Sequence, residues 1–348
     1  MTKYLFVLFT SLLYFSCTSP QTKEKGKPVP LYSFTSGLTE DTACLLSQLA
    51  YCPRIDDSLQ RFMPGWTLYW DAIEVNGNHA FVAGNGRDYA LAIRGSLMNF
   101  TWSAFQNWIY QDLHVATQRR WTYTNDSSKA WVSEGAFTGL ENLKNARDKK
   151  SGILLIDFLD SLQKTGAPLL ITGHSLGGNL ATVFGSYLWQ ECLTRKISTP
   201  SINVITFGAP AAGDAGFAAD FDKKFPQSIR VENRFDIVPK FPTIAGMNAL
   251  HELFSDSLSA ENTEVGYKNM QVSLSKVFSL LAGSLELLDI LSVITPYRQT
   301  NGPGKEIAIP LSGLNRGTDV VNWLNEAGYQ HSIDRYAFYE KIPLIRCN

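Results

Sequence analysis

Pro168-Leu169-Leu170-Ile171-Thr172-Gly173-His174-Ser175-Leu176-Gly177-Gly178 is the stretch that decides how this chain folds. Five residues rich in Leu and Ile read as a buried strand, and an Ala-, Leu- and Val-rich segment from Asn179 to about Trp189 reads as a helix. Between them lies a Gly-x-Ser-x-Gly turn, the pattern of a serine nucleophile on a sharp strand-to-helix elbow. The turn is so tight that side chains beside the serine would collide, so Gly173 and Gly177 flank it and Gly178 extends the same opening. The helix then aims its free N–H groups and positive dipole end at the serine, where negative charge develops during acyl transfer. Three fixed positions alone are a weak signal, and the strand before and helix after supply the context that strengthens it.

Outward from the elbow, strands and helices alternate without internal repeats. A helix is expected from about Glu40 to Ala50, with strands at Trp66 to Val75, His79 to Ala83 and Tyr89 to Ile93 separated by Asn- and Gly-rich turns. Helical patterns occupy roughly Phe137 to Arg147 and Gly152 to Gln163, and another apolar strand runs from Ile202 to Phe207. This alternation implies an α/β fold with a mostly parallel central sheet covered by helices on both faces. Active sites in such sheets gather at the carboxyl ends of strands, where Ser175 sits.

Composition excludes several function classes. The 348 residues allow one large domain, and 31 Lys and Arg balance 32 Asp and Glu with no long single-sign block, against a nucleic-acid surface. A hydrophobic fraction of 45% is that of a folded chain rather than a disordered one. Cys44, Cys52, Cys192 and Cys347 allow three pairings among which sequence does not choose, and with no CxxC or His/Cys cluster neither a metal nor an organic cofactor is expected.

The N-terminus reads as a targeting segment. Lys3 precedes an apolar run from Tyr4 to Phe15 that is too short to span a bilayer, and Ser16-Cys17 follows. This order resembles a bacterial lipobox with Cys17 as the lipidated residue, although Tyr14 stands where Leu is usual; an ordinary secretory signal is the alternative. The expected organisation is a signal peptide over 1–17, a polar, Lys-rich tether over 18–30 and a single domain over 31–348, giving an exported protein held at a membrane by its lipid anchor. Asn99-Phe100-Thr101 and Asn125-Asp126-Ser127 match the glycosylation pattern, which carries no meaning if the lipobox is real.

Two further segments complete a set of chemistry-bearing residues. Asp236 lies in Asn233-Arg234-Phe235-Asp236-Ile237-Val238-Pro239 after an expected strand, and His331 follows an expected loop at Gly328-Tyr329-Gln330 and opens the helical segment His331-Ser332-Ile333-Asp334-Arg335-Tyr336. With Ser175 they give the order Ser, Asp, His of the α/β-hydrolases. From about Tyr89 to Tyr336 the chain resembles the fungal-type (class 3) lipase family of that fold. The resemblance rests on Ile93-Arg94-Gly95-Ser96, Asn107-Trp108-Ile109, Thr172 to Gly178, Thr206-Phe207-Gly208-Ala209-Pro210, and the Asp236 and His331 segments. Ser133 departs from the family's usual histidine and Ala211 from its frequent arginine; neither belongs to the triad.

Chemically, a serine hydroxyl needs a base to take its proton, and the base needs a carboxylate to fix its tautomer. His331 is the expected base. His79 and His114 precede the nucleophile, the side chain of His174 points away from its neighbour Ser175, and the resemblance implies that the histidine in the segment of His251 is not the catalytic base. Asp236 is the expected carboxylate, since the Val-Pro after it suits a rigid turn, with Asp214 as the fallback. The backbone N–H of Leu176 supplies one oxyanion donor, and the resemblance implies Ser96 for the second. Leu97, Met98, Phe100, Trp102 and Phe105 fall where that family carries a lid, or else pack into the core. Val272 to Ile294 reads as an amphipathic helix packed on the sheet or forming part of a cap.

The expectation is therefore a serine hydrolase cleaving carboxylic esters of lipids, triacylglycerol or phospholipid, at a lipid–water interface. A short soluble or polysaccharide acyl ester as substrate, or a non-catalytic lipid-binding role on the same scaffold, are the alternatives.

Overall fold

The structure, a computed structural model, describes residues 37–97, 101–107, 114–125, 129–197, 201–254, 258–267, 270–302, 304–314 and 317–347. The signal segment with Cys17, the tether, Met98, Phe100, Trp108 and the glycosylation triplets' Asn99, Asp126 and Ser127 lie outside them. In chain order the first elements are α1 (Glu40–Leu49), α2 (Ile55–Phe62), β1 (Thr67–Asp71), β2 (Ala80–Gly84), β3 (Tyr89–Ile93), α3 (Trp102–Asn107), β4 (Gln118–Arg120) and β5 (Trp131–Ser133). Then come α4 (Glu134–Asn145), α5 (Leu155–Lys164), β6 (Leu169–His174), α6 (Leu176–Thr194), β7 (Ile202–Phe207), β8 (Gly213–Asp214), α7 (Ala215–Lys224) and β9 (Ile229–Asn233). The chain continues through α8 (Ile244–Ala249), β10 (Glu264–Tyr267), β11 (Met270–Ser273), α9 (Leu274–Ile290), β12 (Tyr297–Arg298), β13 (Lys305–Ile307), α10 (Val320–His331) and α11 (Ile333–Tyr339).

Seven strands form the central sheet in the order β1-β2-β3-β6-β7-β9-β13. β1, β2 and β3 pair antiparallel, and every pairing from β3 to β13 is parallel. The period of two along β6 shows how both faces are covered. Leu169 and Ile171 join the large core that also holds Leu180, Val183 and Phe184 of α6, whereas Thr172 points the other way and its hydroxyl meets that of Ser47 on α1 at 3.0 Å. All six residues of β6 are buried, which is why Leu169, Leu170 and Ile171 form a continuous apolar run rather than an alternation.

Polar caps fix where the helices begin. Thr39, Ser133 and Asp214 each accept a hydrogen bond from the first turn of α1, α4 and α7, contributions of about 1 kcal/mol apiece. This gives Ser133 a physical role of its own, since its Oγ takes the N–H of Ala136. It also makes Asp214 a structural residue: its carboxylate receives the N–H groups of Phe217 and Trp131 and the hydroxyl of Thr295.

A second core lies over the carboxyl edge of the sheet. It joins Ala211, Ile237 and Val238, from loops after β7 and β9, to Phe241, Met247, Phe278 and Trp323, with Trp102 and Leu176 packed against it. The segment from Val272 to Ile294 resolves into β11 and α9, and the buried side of α9 faces this second core rather than the underside of the sheet. The apolar segment after Ser96 divides: Leu97 is 72% exposed, whereas Trp102 packs on the second core and its Nε1 donates to the Gly266 carbonyl at 3.1 Å. A four-stranded sheet, β12-β8-β5-β4, is an element that sequence periodicity misses because its strands are only two or three residues long.

Of the three cysteine pairings left open, one bond forms. Cys52 is bridged to Cys347 across 295 residues of sequence, while Cys44 and Cys192 are buried free thiols.

Candidate active site

Ser175 sits between the last residue of β6 and the first of α6 with φ 61° and ψ −133°, a conformation that a non-glycine residue adopts only when its surroundings enforce it. The enforcement is visible on both sides. A Cβ on Gly173 would run into the backbone of Gly177, and one on Gly177 would run into the carbonyl of Ile93 on β3. Ser175 N–H donates to the Phe207 carbonyl at 2.9 Å, locking the elbow to β7, and its carbonyl accepts the N–H groups of Gly178 and Asn179. Helix α6 begins directly at Leu176, three residues earlier than the apolar pattern suggests, so its N-terminus abuts the serine.

The hydroxyl of Ser175 lies 2.8 Å from His331 Nε2, and His331 Nδ1 lies 2.8 Å from Asp236 Oδ2. All three side chains are buried or nearly so, at 4%, 4% and 0% relative exposure, so these bonds form where competing water is scarce. Asp236 is held from several directions: Val238 N–H donates to Oδ1 at 2.8 Å, and the Tyr336 hydroxyl donates to Oδ2 at 2.7 Å. Burial and the adjacent carboxylate push the Tyr336 hydroxyl well above its ordinary pKa, which keeps it a proton donor. Gly208 explains the glycine in Thr206-Phe207-Gly208-Ala209-Pro210. Its φ is +54°, and a Cβ there would stand 2.8 Å from Asp236 Oδ2 and 3.3 Å from His331 Nδ1.

His331 differs from its expected setting. It is the last residue of α10, with Ser332 as the joint to α11, rather than a loop residue ahead of a helix. A helix end can deliver the ring because the neighbouring backbone is clamped. The side-chain amide of Asn233, at the end of β9, donates to the Gln330 carbonyl at 2.9 Å and to its Oε1 at 2.7 Å, and His174 Nε2 meets the His331 carbonyl at 2.7 Å. Asn233 and Tyr336 were legible only as members of quoted segments; no spacing rule marked either as part of this cluster.

The other candidates fall elsewhere. His79 Nε2 pairs with Asp71 at 2.8 Å, His114 is exposed, and His251 bridges Ser275 and Ser279 on α9 at 2.6 and 3.3 Å. Ser96 shares with Tyr51, His174, Ser175 and His331 the lining of a cavity of about 330 Å³. Gln48, Ile333, Asp334, Ile345 and Cys347 complete much of its wall, so α1 and the segment after α11 both border the serine.

This geometry can be set beside known proteins. Residues 91–246 of the chain match the family model Lipase (class 3). This segment carries the class 3 lipase pattern. It contains Ser96, Ser175, Leu176 and Asp236, and His331 lies beyond it. Over 160 residues the chain is 37% identical to the secreted mono- and diacylglycerol lipase 1 of Fusarium solani, covering 43% of this chain and 44% of that protein. It is 25% identical over 163 residues to the chloroplastic phospholipase A(1) DAD1 of Arabidopsis thaliana, covering 45% of this chain and 34% of the relative. The chain thus spans less than half the length of these curated relatives. Among solved structures, M37 lipase superposes with a TM-score of 0.70 at 19% identity, covering 87% of this chain and 93% of that one. The fold is that of the α/β-hydrolases, shared along nearly the whole of both chains.

Proposed function

We propose that this protein hydrolyses carboxylic esters of lipids through an acyl-enzyme, with Ser175 as nucleophile, His331 as general base and acid, and Asp236 as the carboxylate that orients the base. The observation that carries the reading is the continuous path Ser175 Oγ to His331 Nε2 and His331 Nδ1 to Asp236 Oδ2, 2.8 Å at each step, on a strained elbow beside a cavity. In the first half-reaction Ser175 Oγ bonds to the ester carbon as its proton passes to His331 Nε2, and the carbonyl π electrons move to oxygen. The Leu176 N–H and Ser96 receive that oxyanion. Its collapse expels the alcohol, which takes the proton from His331. Water then gives a proton to His331 as it attacks the acyl carbon, the second oxyanion collapses to break the ester bond to Ser175 Oγ, and Ser175 takes that proton back from His331 as the free acid departs.

Lipid substrates are favoured over small soluble esters by the class 3 lipase pattern and by relatives whose names specify acylglycerols and phospholipids. The direct test is turnover of acyl esters from short to long chain and of a phospholipid, with Ser175→Ala as the blank, together with a fluorophosphonate probe. Labelling at Ser175 and a rate that rises with chain length are expected. Labelling elsewhere, or undiminished turnover by Ser175→Ala, removes the proposal; a preference for the shortest esters transfers it to soluble substrates.

We infer in addition that the protein is exported and held at a membrane through Cys17, on a tether over 18–30. Lys3, the apolar run and Ser16-Cys17 support this, and the Cys52–Cys347 bond suits an oxidising compartment. Cys17→Ala should leave the protein soluble or unprocessed, and a wild-type protein without an acyl group on Cys17 rules the anchor out.

A further inference from the structure

Tyr51 has no place in the reaction just described and lies outside the family-matched segment, yet its hydroxyl stands at the junction of two parts of the site. It meets His174 Nδ1 at 2.9 Å, and His174 Nε2 meets the His331 carbonyl at 2.7 Å. The directions of these bonds follow from chemistry. A carbonyl can only accept, so His174 carries its proton on Nε2. Burial, and then the neighbouring His331, hold His174 well below its ordinary pKa, so the ring is neutral and Nδ1 presents a lone pair. That lone pair needs a donor, and the Tyr51 hydroxyl is the one in reach. Burial pushes this hydroxyl above its usual range, so it keeps its proton, and it packs directly on Gly95.

The result is a one-way chain: Tyr51 O–H to His174 Nδ1, then His174 Nε2–H to the His331 carbonyl. It runs from a hydroxyl packed on Gly95, the residue before Ser96, to the backbone of the proposed base. Hydrogen bonds aligned in this way polarise and strengthen one another. The packing leaves little slack around it: a Cβ on Gly95 would run into the Tyr51 hydroxyl and the His174 carbonyl. The rings of His174 and His331 stack at 4.5 Å between centroids, and Cys52, next to Tyr51, is bridged to Cys347.

We propose that Tyr51 is a positioning residue which, through His174, holds the oxyanion turn and His331 in a single register. This rests on the catalytic reading above, and it adds that the N-terminal helix region sets the relation between base and oxyanion donors. Residues argued to act through another should show coupling rather than independent losses.

The test uses Tyr51→Phe, which keeps the ring and removes the hydroxyl, with His174→Gln, which keeps an N–H for the His331 carbonyl, and His174→Leu, which does not. The readouts are kcat and KM on a soluble ester and the second-order rate of fluorophosphonate labelling at Ser175. Tyr51→Phe should lower kcat and the labelling rate together by roughly tenfold with KM nearly unchanged. His174→Gln should be less impaired than His174→Leu, and adding Tyr51→Phe to His174→Leu should cost nothing further. Unchanged labelling in Tyr51→Phe, a loss confined to KM, or independent losses in the double variant overturns the proposal. Should His174→Leu not fold, Tyr51→Phe and His174→Gln decide it alone: equal losses in labelling support it and wild-type rates in either overturn it. Absence of labelling in the wild-type protein would instead remove the catalytic reading and this one with it.

Discussion

The strand ends of the central sheet and the helical segment that carries His331 build the proposed site by different means. Ser175 is set chiefly by residues beside it in sequence, since Gly173 and Gly177 permit the elbow, and Asp236 joins a local bond, the N–H two residues ahead, to the Tyr336 hydroxyl 100 residues away. His331 owes its position to partners far away, Asn233 at 97 residues through Gln330 and His174 at 157. Strain at the elbow is tolerated because a packed sheet surrounds it. The base has no such local frame and depends on tertiary clamps. The proposed nucleophile can therefore be encoded by a pentapeptide, whereas the position of the proposed base is encoded by contacts from across the fold.

The strongest attack on this contrast is at the base. His331→Ala should lower turnover by on the order of 10⁶-fold, as loss of the nucleophile does, because members of such a unit fail together. Gly208→Ala should also cause a large loss although it touches no triad residue in sequence, since its Cβ would stand 2.8 Å from Asp236 Oδ2 at a φ of +54°. Kinetics with a folded-state check by circular dichroism reads both. Near-wild-type turnover in Gly208→Ala would mean that the second strand end yields easily and is not locally fixed.

A smaller effect is expected at the oxyanion turn. Ser96→Ala keeps the backbone N–H and should cost up to about 10²-fold in kcat, from the lost hydroxyl alone. Ser96→Pro deletes the N–H and should be worse. Equal rates for the proline variant and wild type would remove Ser96 from the oxyanion site.

The same contrast governs what could be read without coordinates. The elbow, the parallel sheet and the strands β2, β3, β6 and β7 follow from runs and turns within a few residues, where periodicity speaks directly. Asp236 and His331 could be named through chain order and family resemblance, but the setting of His331 was misjudged. His331 reads as the opening of a helix after a loop, and nothing in the sequence reveals that a helix already ends there. Tyr51 and Asn233 carry no motif, because their importance lies in what touches them from across the fold. The pairing of Cys52 with Cys347 stayed open for the same reason: it depends on where two ends meet, which no spacing encodes.

That bridge offers a prediction about stability more than chemistry. Cys52→Ser, or Cys347→Ser, should destabilise the protein by about 2–5 kcal/mol, chiefly by freeing the unfolded chain. Thermal melts of the two variants should coincide with each other and with reduced wild type. Melts that match oxidised wild type would show that the chain ends are held without the bond.

The smallest change in activity is expected at His251, the remaining histidine after Asp236 in sequence. Its two ring nitrogens are occupied by Ser275 and Ser279, both on α9, so it pins the turn after α8 to the second core and faces no triad residue through a hydrogen bond. His251→Ala leaves the Ser175, His331 and Asp236 path intact and removes two hydrogen bonds from a partly buried position. Turnover should stay within about threefold of wild type while stability falls by about 1–2 kcal/mol. Loss of activity by several orders of magnitude in His251→Ala, with His331→Ala still active, would move the base onto the second core. It would also reverse the contrast, since the base would then be set close to Asp236 in sequence and not by contacts from across the fold.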